Sequence, residues 1–260
     1  MWKIFTRNDR AGAKEPYRHE WKYLISRREK EALKLRLIPL MKLDPHAGNG
    51  GYMIRSLYFD DYWNRAYEEK EMGVRDRSKY RIRIYDCSDQ SIKLERKKKV
   101  GSYIYKESAS LTRKETEQIM DGDYGFLLKS SQSLCQEFYI ECMCNGMRPR
   151  VIVDYEREPF IMEEGTVRVT FDNDVRAAVL GQDIFDSRLP SIGVLEPGKV
   201  VMEVKFTEFL PQLVRDILPP AASEFTAVSK YVLCYEKTRY LRNWEYYEET
   251  PVPGGWGGYQ

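Results

Sequence analysis

Histidine is almost absent from this chain of 260 residues: His19 and His46 are the only two. A Cys/His zinc site is therefore not expected. A serine or cysteine nucleophile activated by histidine also lacks support, because His46 follows a proline in a Gly-rich loop. Five cysteines (87, 135, 142, 144 and 234) make an odd number with no paired CxxC spacing. They read as buried thiols of a reducing compartment, and the cytoplasm is the expected location. No apolar run approaches the roughly 20 residues that span a bilayer. The opening MWKIFTRNDRAGAKE has no apolar stretch of the kind a signal peptide needs. Neither a GxxxxGK-Ser/Thr loop nor a GxGxxG turn occurs, so no familiar nucleotide cradle is present. Net charge is also scarce: 42 Lys and Arg against 40 Asp and Glu give +2. Bulk electrostatics thus gives no reason to expect a nucleic-acid binder, and any basic site must arise from local concentration.

What is present is aromatic and charged, with nineteen tyrosines. No Gly/Ser linker or internal repeat divides the chain, so one domain is expected over 17–240. It would be flanked by a flexible N-terminus (1–16) and a Gly- and Pro-rich tail (241–260). HEWKYLI (19–25) alternates like a strand. Ser26 and Glu29 have capping-box spacing ahead of a helix with a Leu33, Leu37, Leu40 stripe, and Thr112 and Glu115 repeat that spacing. Strands are expected at 53–59, in YRIRIY (80–85) and IKLERK (92–97) across a polar break at 86–91, and in VIVDYER, VRVTFD and VVMEVKF. Further helices are expected at 62–71, 132–144, 210–218 and 226–239.

Each strand has an apolar face and a charged face. In the simplest reading an open antiparallel sheet keeps its charged side in water. The alternative closes the sheet into a barrel with helices outside and charges inside. Same-face cation pairs (Arg81/Arg83, Lys93/Lys97) repel unless an anion lies between them. Sparse carboxylates (Glu20, Glu95, Asp172, Glu203) suit a cation bound beside that anion. Polyphosphate fits such an interior: Arg forks and Lys point charges would meet its oxygens, and Glu would hold Mg²⁺ or Mn²⁺. Arg168, on the charged face of VRVTFD, joins Lys93 among the candidate substrate-binding residues.

The series RHEWKY, SLYFDD, YRIRIY, KLERK, DYEREPF, VRVTFD, VMEVKF and SKY resembles, in order, the vacuolar transporter chaperone catalytic domain. That domain is the polyphosphate polymerase branch of the triphosphate tunnel metalloenzymes. The resemblance covers about 17–240. It implies an α+β fold, an antiparallel β-barrel tunnel with a charged interior surrounded by helices. It also implies transfer of the γ-phosphate of ATP to a growing polyphosphate chain. Lys22, Arg81, Arg83, Lys97, Arg157 and Lys230 match the family's basic residues, and Lys106 matches a further basic position. Glu203 falls on the metal-binding glutamate, with Lys205 on the same inward face. Glu20 is the second expected ligand for Mn²⁺ or Mg²⁺.

Departures refine the expectation. Hydrolase and cyclase members carry ExExK, whereas this chain has Arg18-His19-Glu20-Trp21-Lys22, which favours the polymerase branch. The sensing and membrane-spanning domains of eukaryotic complexes are not expected, so export would need a membrane partner, and a bare catalytic domain of this kind looks bacterial. A tripolyphosphatase or nucleoside triphosphatase, and a non-catalytic polyphosphate-binding module, are the alternatives. Glu203→Gln or Arg83→Ala is expected to abolish turnover with near-normal thermal stability.

Overall fold

The computed structural model describes residues 18–242 except 49, 102, 180, 182, 208 and 220–227. The two expected terminal tails, and the start of the last expected helix at 226–227, lie outside the described residues.

Strand β1 (His19–Ser26) leads into helix α1 (Arg27–Leu37) through the expected capping box. Glu29 N donates to Ser26 Oγ (3.2 Å), and Ser26 N donates to the Glu29 carboxylate (2.7 Å). Such a cap stabilises a helix by about 1 kcal/mol. Short β2 (Lys42–Leu43) and β3 (Tyr52–Asp60) follow, then α2 (Arg65–Glu71). The expected helix at 62–71 begins only at Arg65. Asn64 takes a left-handed φ of 55°, and the Asp60 carboxylate caps Ala66 N and Tyr67 N at 2.8 and 3.0 Å.

The hairpin of β4 (Asp76–Tyr85) and β5 (Ser88–Val100) is tighter than the sequence suggested. Asp86 and Cys87 both have positive φ, 50° and 54°, as a two-residue turn that matches strand twist requires. Residues 88–91 therefore belong to β5 and not to a loop. An unanticipated β6 (Tyr103–Leu111) extends this meander before α3 (Arg113–Met120), which carries the second capping box, and α4 (Ser133–Cys144). Long strands β7 (Arg148–Met162) and β8 (Val167–Ala178), short β9 (Ser191–Gly193), β10 (Lys199–Phe206), α5 (Gln212–Ile217) and α6 (Lys230–Arg242) complete the fold.

Ten strands form one antiparallel sheet with main-path order β1-β10-β8-β7-β3-β4-β5-β6. The protein is α+β, as expected. The sheet curls until its edges approach, but among the described residues no ladder joins β1 to β6. Among the described residues, the bridge between these edges is Arg18 with Ile104, two backbone hydrogen bonds of 3.3 Å.

Alternation assigns the outer face to apolar clusters under helices. Tyr23, Ile25, Val200, Met202 and Val204 pack in the cluster that also holds Leu33 and Leu37 of α1 and Val214 of α5. Ile82, Ile84, Ile92 and Leu94 share a cluster with Ile119 of α3 and Phe138 of α4. One helix departs from the expected outer shell. Helix α6 packs on β7 and β8, with Tyr231, Val232 and Cys234 beside Ile54, Val151, Val153, Val175 and Ala177. Those strand residues share the inner face with Tyr155 and Arg83. The inner face is thus apolar and helix-covered on one part and charged on the rest. A bulge in β8, with Asp174 at φ 49°, permits the change by turning Val175 and Ala177 inward.

Candidate functional site

A cavity of about 580 Å³ occupies the charged part of the inner face. Strand β4 contributes Arg77, Lys79, Arg81 and Arg83, every second residue, and β5 contributes Lys97 and Lys99. Strand β1 adds Glu20 and Lys22, β10 adds Glu203 and Lys205, and β7 adds Tyr155 and Arg157. Ser229, Lys230 and Tyr231, at the start of α6, form another part of the wall, and Lys70 of α2 reaches it too. Among the described residues, eleven Lys and Arg line the cavity against two carboxylates.

Three carboxylate-centred networks organise these cations. Arg157 grips Asp172 with two bonds, Nε–Oδ1 2.6 Å and Nη2–Oδ2 2.7 Å. Lys230 bridges Asp172 (2.5 Å) to Glu203 Oε1 (2.9 Å), and Glu203 Oε2 faces Lys205 at 3.1 Å and Arg157 at 3.6 Å. Lys22 lies opposite Glu203 across the β1–β10 ladder, 3.8 Å from it, and 3.2 Å from Glu20. Glu20 also accepts two bonds from Lys97, 2.7 and 2.9 Å. Glu95, opposite Arg81 in β4–β5, takes Arg81 at 2.6 and 2.8 Å and Lys106 at 3.3 Å, with Arg83 at 3.8 Å. Arg81 donates further to Tyr58 Oη (2.9 Å), and Arg83 to Tyr155 Oη (3.1 Å).

The charge states follow from this packing. Burial alone would raise the Glu203 and Glu95 carboxyls. The surrounding ammonium and guanidinium groups instead hold both well below the usual carboxylate range. The same contest leaves Glu20 and Asp172 low. Tyr58 is lowered despite burial, because Arg81, Arg83 and Lys230 favour its phenolate. Lysines divide by partner. Asp172 and Glu203 raise Lys230 against its burial. Burial lowers Lys97 to about 8; Glu20 offsets this only in part, and Lys22 and Lys205 push it further down.

A titration is expected from that shift. Between about pH 8 and the ordinary lysine value of 10.5, an unfolded chain holds the Lys97 proton and the folded chain has released it. Lys97's contribution to stability therefore rises with pH across that window. Affinity for an anion in the cavity should move the opposite way, weakening above about pH 8 as this ammonium is lost. Calorimetric titration with tripolyphosphate from pH 7 to 9.5 checks this, and Lys97→Arg, which does not titrate there, should flatten the step.

The seven candidate catalytic residues (Lys22, Arg81, Arg83, Lys97, Arg157, Lys205 and Lys230) all line the cavity, as do Glu20 and Glu203. Lys93, Lys106 and Arg168 are not among its lining residues. Lys93 is turned to Ser110 Oγ (2.6 Å), Lys106 stands behind Glu95, and Arg168 is held by Asp44 and Tyr52 Oη, both at 2.8 Å. Sequence reasoning missed Arg77, Lys79 and Lys99. The signal was there: the period-two row Arg81/Arg83 runs back through Lys79 to Arg77, and Lys97 runs on to Lys99.

Among the described residues, no group of three or more His, Cys, Asp or Glu could hold a metal ion. Glu20 and Glu203 stand on paired strands and offer hard oxygens, but both are already in contact with ammonium groups. Two carboxylates fit Mg²⁺ or Mn²⁺ that arrives with phosphate oxygens completing its shell, the usual arrangement for Mg²⁺. They do not fit a preformed all-protein site.

A curled antiparallel sheet around a cation-lined cavity places the protein among the triphosphate tunnel folds. Its backbone is similar to that of a putative adenylyl cyclase from Hippeastrum, described as having a dominant triphosphatase activity: TM-score 0.51, 12% identity, 86% of this chain and 96% of that one covered. It is also similar to a protein from Pyrococcus horikoshii (TM-score 0.45, 12% identity, 85% and 99% covered). A putative adenylate cyclase from Bacillus halodurans gives TM-score 0.44, 15% identity, and 75% and 82% covered. No curated protein matches the sequence. Residues 17–239 match the VTC domain, and the chain belongs to that family. No helix among the described residues is long and apolar enough to cross a membrane.

Proposed function

We propose that this VTC-domain chain is a polyphosphate polymerase that transfers the γ-phosphoryl group of ATP to the end of a phosphate chain held in the cavity. The observation that carries this reading is the lining of eleven Lys and Arg against two carboxylates. Even with Asp172 and Glu95 behind the wall, cations exceed carboxylates among the described residues, an excess that suits a polyanion. Lys22, Arg81, Arg83, Lys97 and Arg157 would grip the triphosphate, and Lys205 and Lys230 would complete the cage around the transferred group. Lys106, Lys93 and Arg168, set back from the wall, would act only through neighbouring residues or at the margins. Glu203 and Glu20 would hold Mn²⁺ or Mg²⁺ against phosphate oxygens, where the ion supplies charge neutralisation and Lewis-acid polarisation.

In the step itself, a terminal oxygen of the chain attacks the γ-phosphorus. The bond from that phosphorus to the β-γ bridging oxygen breaks, and ADP leaves with the electron pair. The attacking phosphate is already ionised, so no strong general base is required. Positioning and charge neutralisation by Arg81, Arg83 and Arg157 are the protein's contribution. A second reading puts water in place of the chain, and the Hippeastrum protein of the same fold is described as dominantly a triphosphatase.

Incubation of the purified chain with ATP and Mn²⁺ or Mg²⁺, with products resolved on a phosphate-stained gel, separates the readings. Phosphate chains with stoichiometric ADP are the expected result. Orthophosphate without chains assigns hydrolysis, and binding without turnover leaves a polyphosphate-binding module.

A further inference from the structure

The start of α6 walls the cavity without a β-ladder to hold it in register. Three consecutive residues there touch cavity side chains. Val228 O accepts from Lys22 (3.0 Å), Ser229 Oγ accepts from Lys79 (2.9 Å), and Lys230 joins Asp172 to Glu203. The next residue makes a different contact. Tyr231, 1% exposed, donates its hydroxyl proton to Asp60 Oδ2 at 2.6 Å. Asp60 is the first aspartate of SLYFDD (56–61) and the last residue of β3, and is equally buried. Its oxygens also accept from Asp61 N (2.9 Å), Ala66 N (2.8 Å) and Tyr67 N (3.0 Å). One buried carboxylate thus ties together the end of β3, the first turn of α2 and the first turn of α6. A second link between the helices lies beside it: Tyr67 Oη donates to Glu236 (3.1 Å), and the Tyr67 and Tyr235 rings are 5.0 Å apart.

We propose that Asp60 is a positioning residue: through the Tyr231 hydroxyl it sets the depth at which α6 presents Lys230 to a ligand in the cavity. The proposal rests on the reading of that cavity as a phosphate site, and it adds to the site a residue that does not line it. Three observations argue for it. Capping α2 needs only the backbone donors, so the bond to Tyr231 adds nothing to the cap; it ties the cap to the cavity wall instead. Hydrogen bonds tolerate displacements of only a few tenths of an ångström, and Lys230, the neighbour of Tyr231 in the chain, meets two carboxylates at once. The phenol is also fixed from its face. Its ring stacks on Tyr58 (centroids 5.2 Å apart, planes at 28°), whose hydroxyl accepts from Arg81 (2.9 Å). Burial, reinforced by Asp60, raises the Tyr231 phenol well above its usual range, so it stays a donor.

The test is a double-variant cycle of Tyr231→Phe and Lys230→Met, followed by calorimetric titration with tripolyphosphate below the melting temperature of the weakest variant. Tyr231→Phe removes the hydroxyl but keeps the ring and the backbone bonds to Asp60, whereas Asp60→Asn would disturb the α2 cap as well. In the natural chain Tyr231→Phe is expected to weaken binding about fivefold, the worth of one hydrogen bond. In a Lys230→Met chain, itself a weaker binder, the same change is expected to cost less than about twofold, because the group it positions is gone. Equal losses in both backgrounds, or an earlier melt of Tyr231→Phe with natural affinity, assign Asp60 to stability alone and overturn the proposal. A Lys230→Met chain that binds as the natural chain does also overturns it. Failure of the natural chain to bind tripolyphosphate overturns the phosphate reading, and the positioning role with it.

Discussion

A Glu203→Gln chain is expected to lose turnover by about 10²-fold or more and also to melt markedly earlier than the natural chain. Glu203 is 6% exposed and is the counter-charge shared by Lys230, Lys205, Lys22 and Arg157. The amide keeps the shape and one acceptor but leaves two buried cations (Lys230 and Arg157) and two half-buried ones (Lys22 and Lys205) with one negative charge fewer. Removing one member of a buried ion network costs about 3–5 kcal/mol, which for a domain of this size lowers Tm by roughly 6–20 °C. The expectation of near-normal stability, drawn from the sequence, took Glu203 as an inward residue free for a ligand. The ion pairs around it correct that view. Thermal melts with and without tripolyphosphate check the account: an added polyanion should recover much of the lost stability, because it returns the missing negative charge. A variant with natural Tm and natural turnover would remove Glu203 from both roles.

The second large effect belongs to Lys230→Met. Asp172 is completely buried, and Lys230 joins it to Glu203. The methionine fills similar space and removes the bridging charge. Arg157 still holds Asp172, so the expected loss is about 3 kcal/mol, at the lower end for a broken buried pair. Its sign with pH is fixed. Both carboxyls are held low in the natural fold, so their ion pairs stabilise above the ordinary carboxylate pKa and fade as pH falls. In the variant these carboxyls are easier to protonate. The gap in Tm between the natural chain and Lys230→Met should therefore hold from pH 8 to about pH 5 and narrow as pH falls further, through the ordinary carboxylate values of 3.8 and 4.5. Lys230→Arg should restore most of the stability, and a pH-independent gap would contradict the argument.

The local elements were legible because they obey local rules. Two capping boxes, the apolar stripe of α1 and the two-residue alternation of β1, β4 and β10 could all be read from spacing. Alternation also placed seven lining residues (Glu20, Lys22, Arg81, Arg83, Lys97, Glu203 and Lys205) on charged strand faces, since register inherits parity, whereas Arg157 and Lys230 came from the resemblance. Three things escaped for physical reasons. Asp86-Cys87 lacks the glycine that usually marks a tight hairpin turn, so polar residues 88–91 looked like a loop. Asp174's bulge reverses parity within β8, which no periodic pattern reveals. The position of α6 on the inner face depends on apolar residues contributed by three separate strands, and nothing in its own sequence tells inner from outer. Lys93 and Arg168 have the right parity but find Ser110, Asp44 and Tyr52, partners that appear only once the sheet curls.

The Arg18–Ile104 bridge has a mechanical meaning. A tube joined by a complete ladder has a circumference set by its strand number and stagger, and a polymer can be threaded only through its ends. Here, among the described residues, the backbone join between the edges is two hydrogen bonds of 3.3 Å at one point, each with a net worth of only about 1 kcal/mol, beside the Glu20–Lys97 ion pair. Fluctuation of the wall should thus concentrate along one line, the seam between the start of β1 and the start of β6, like a cuff that is buttoned rather than sewn.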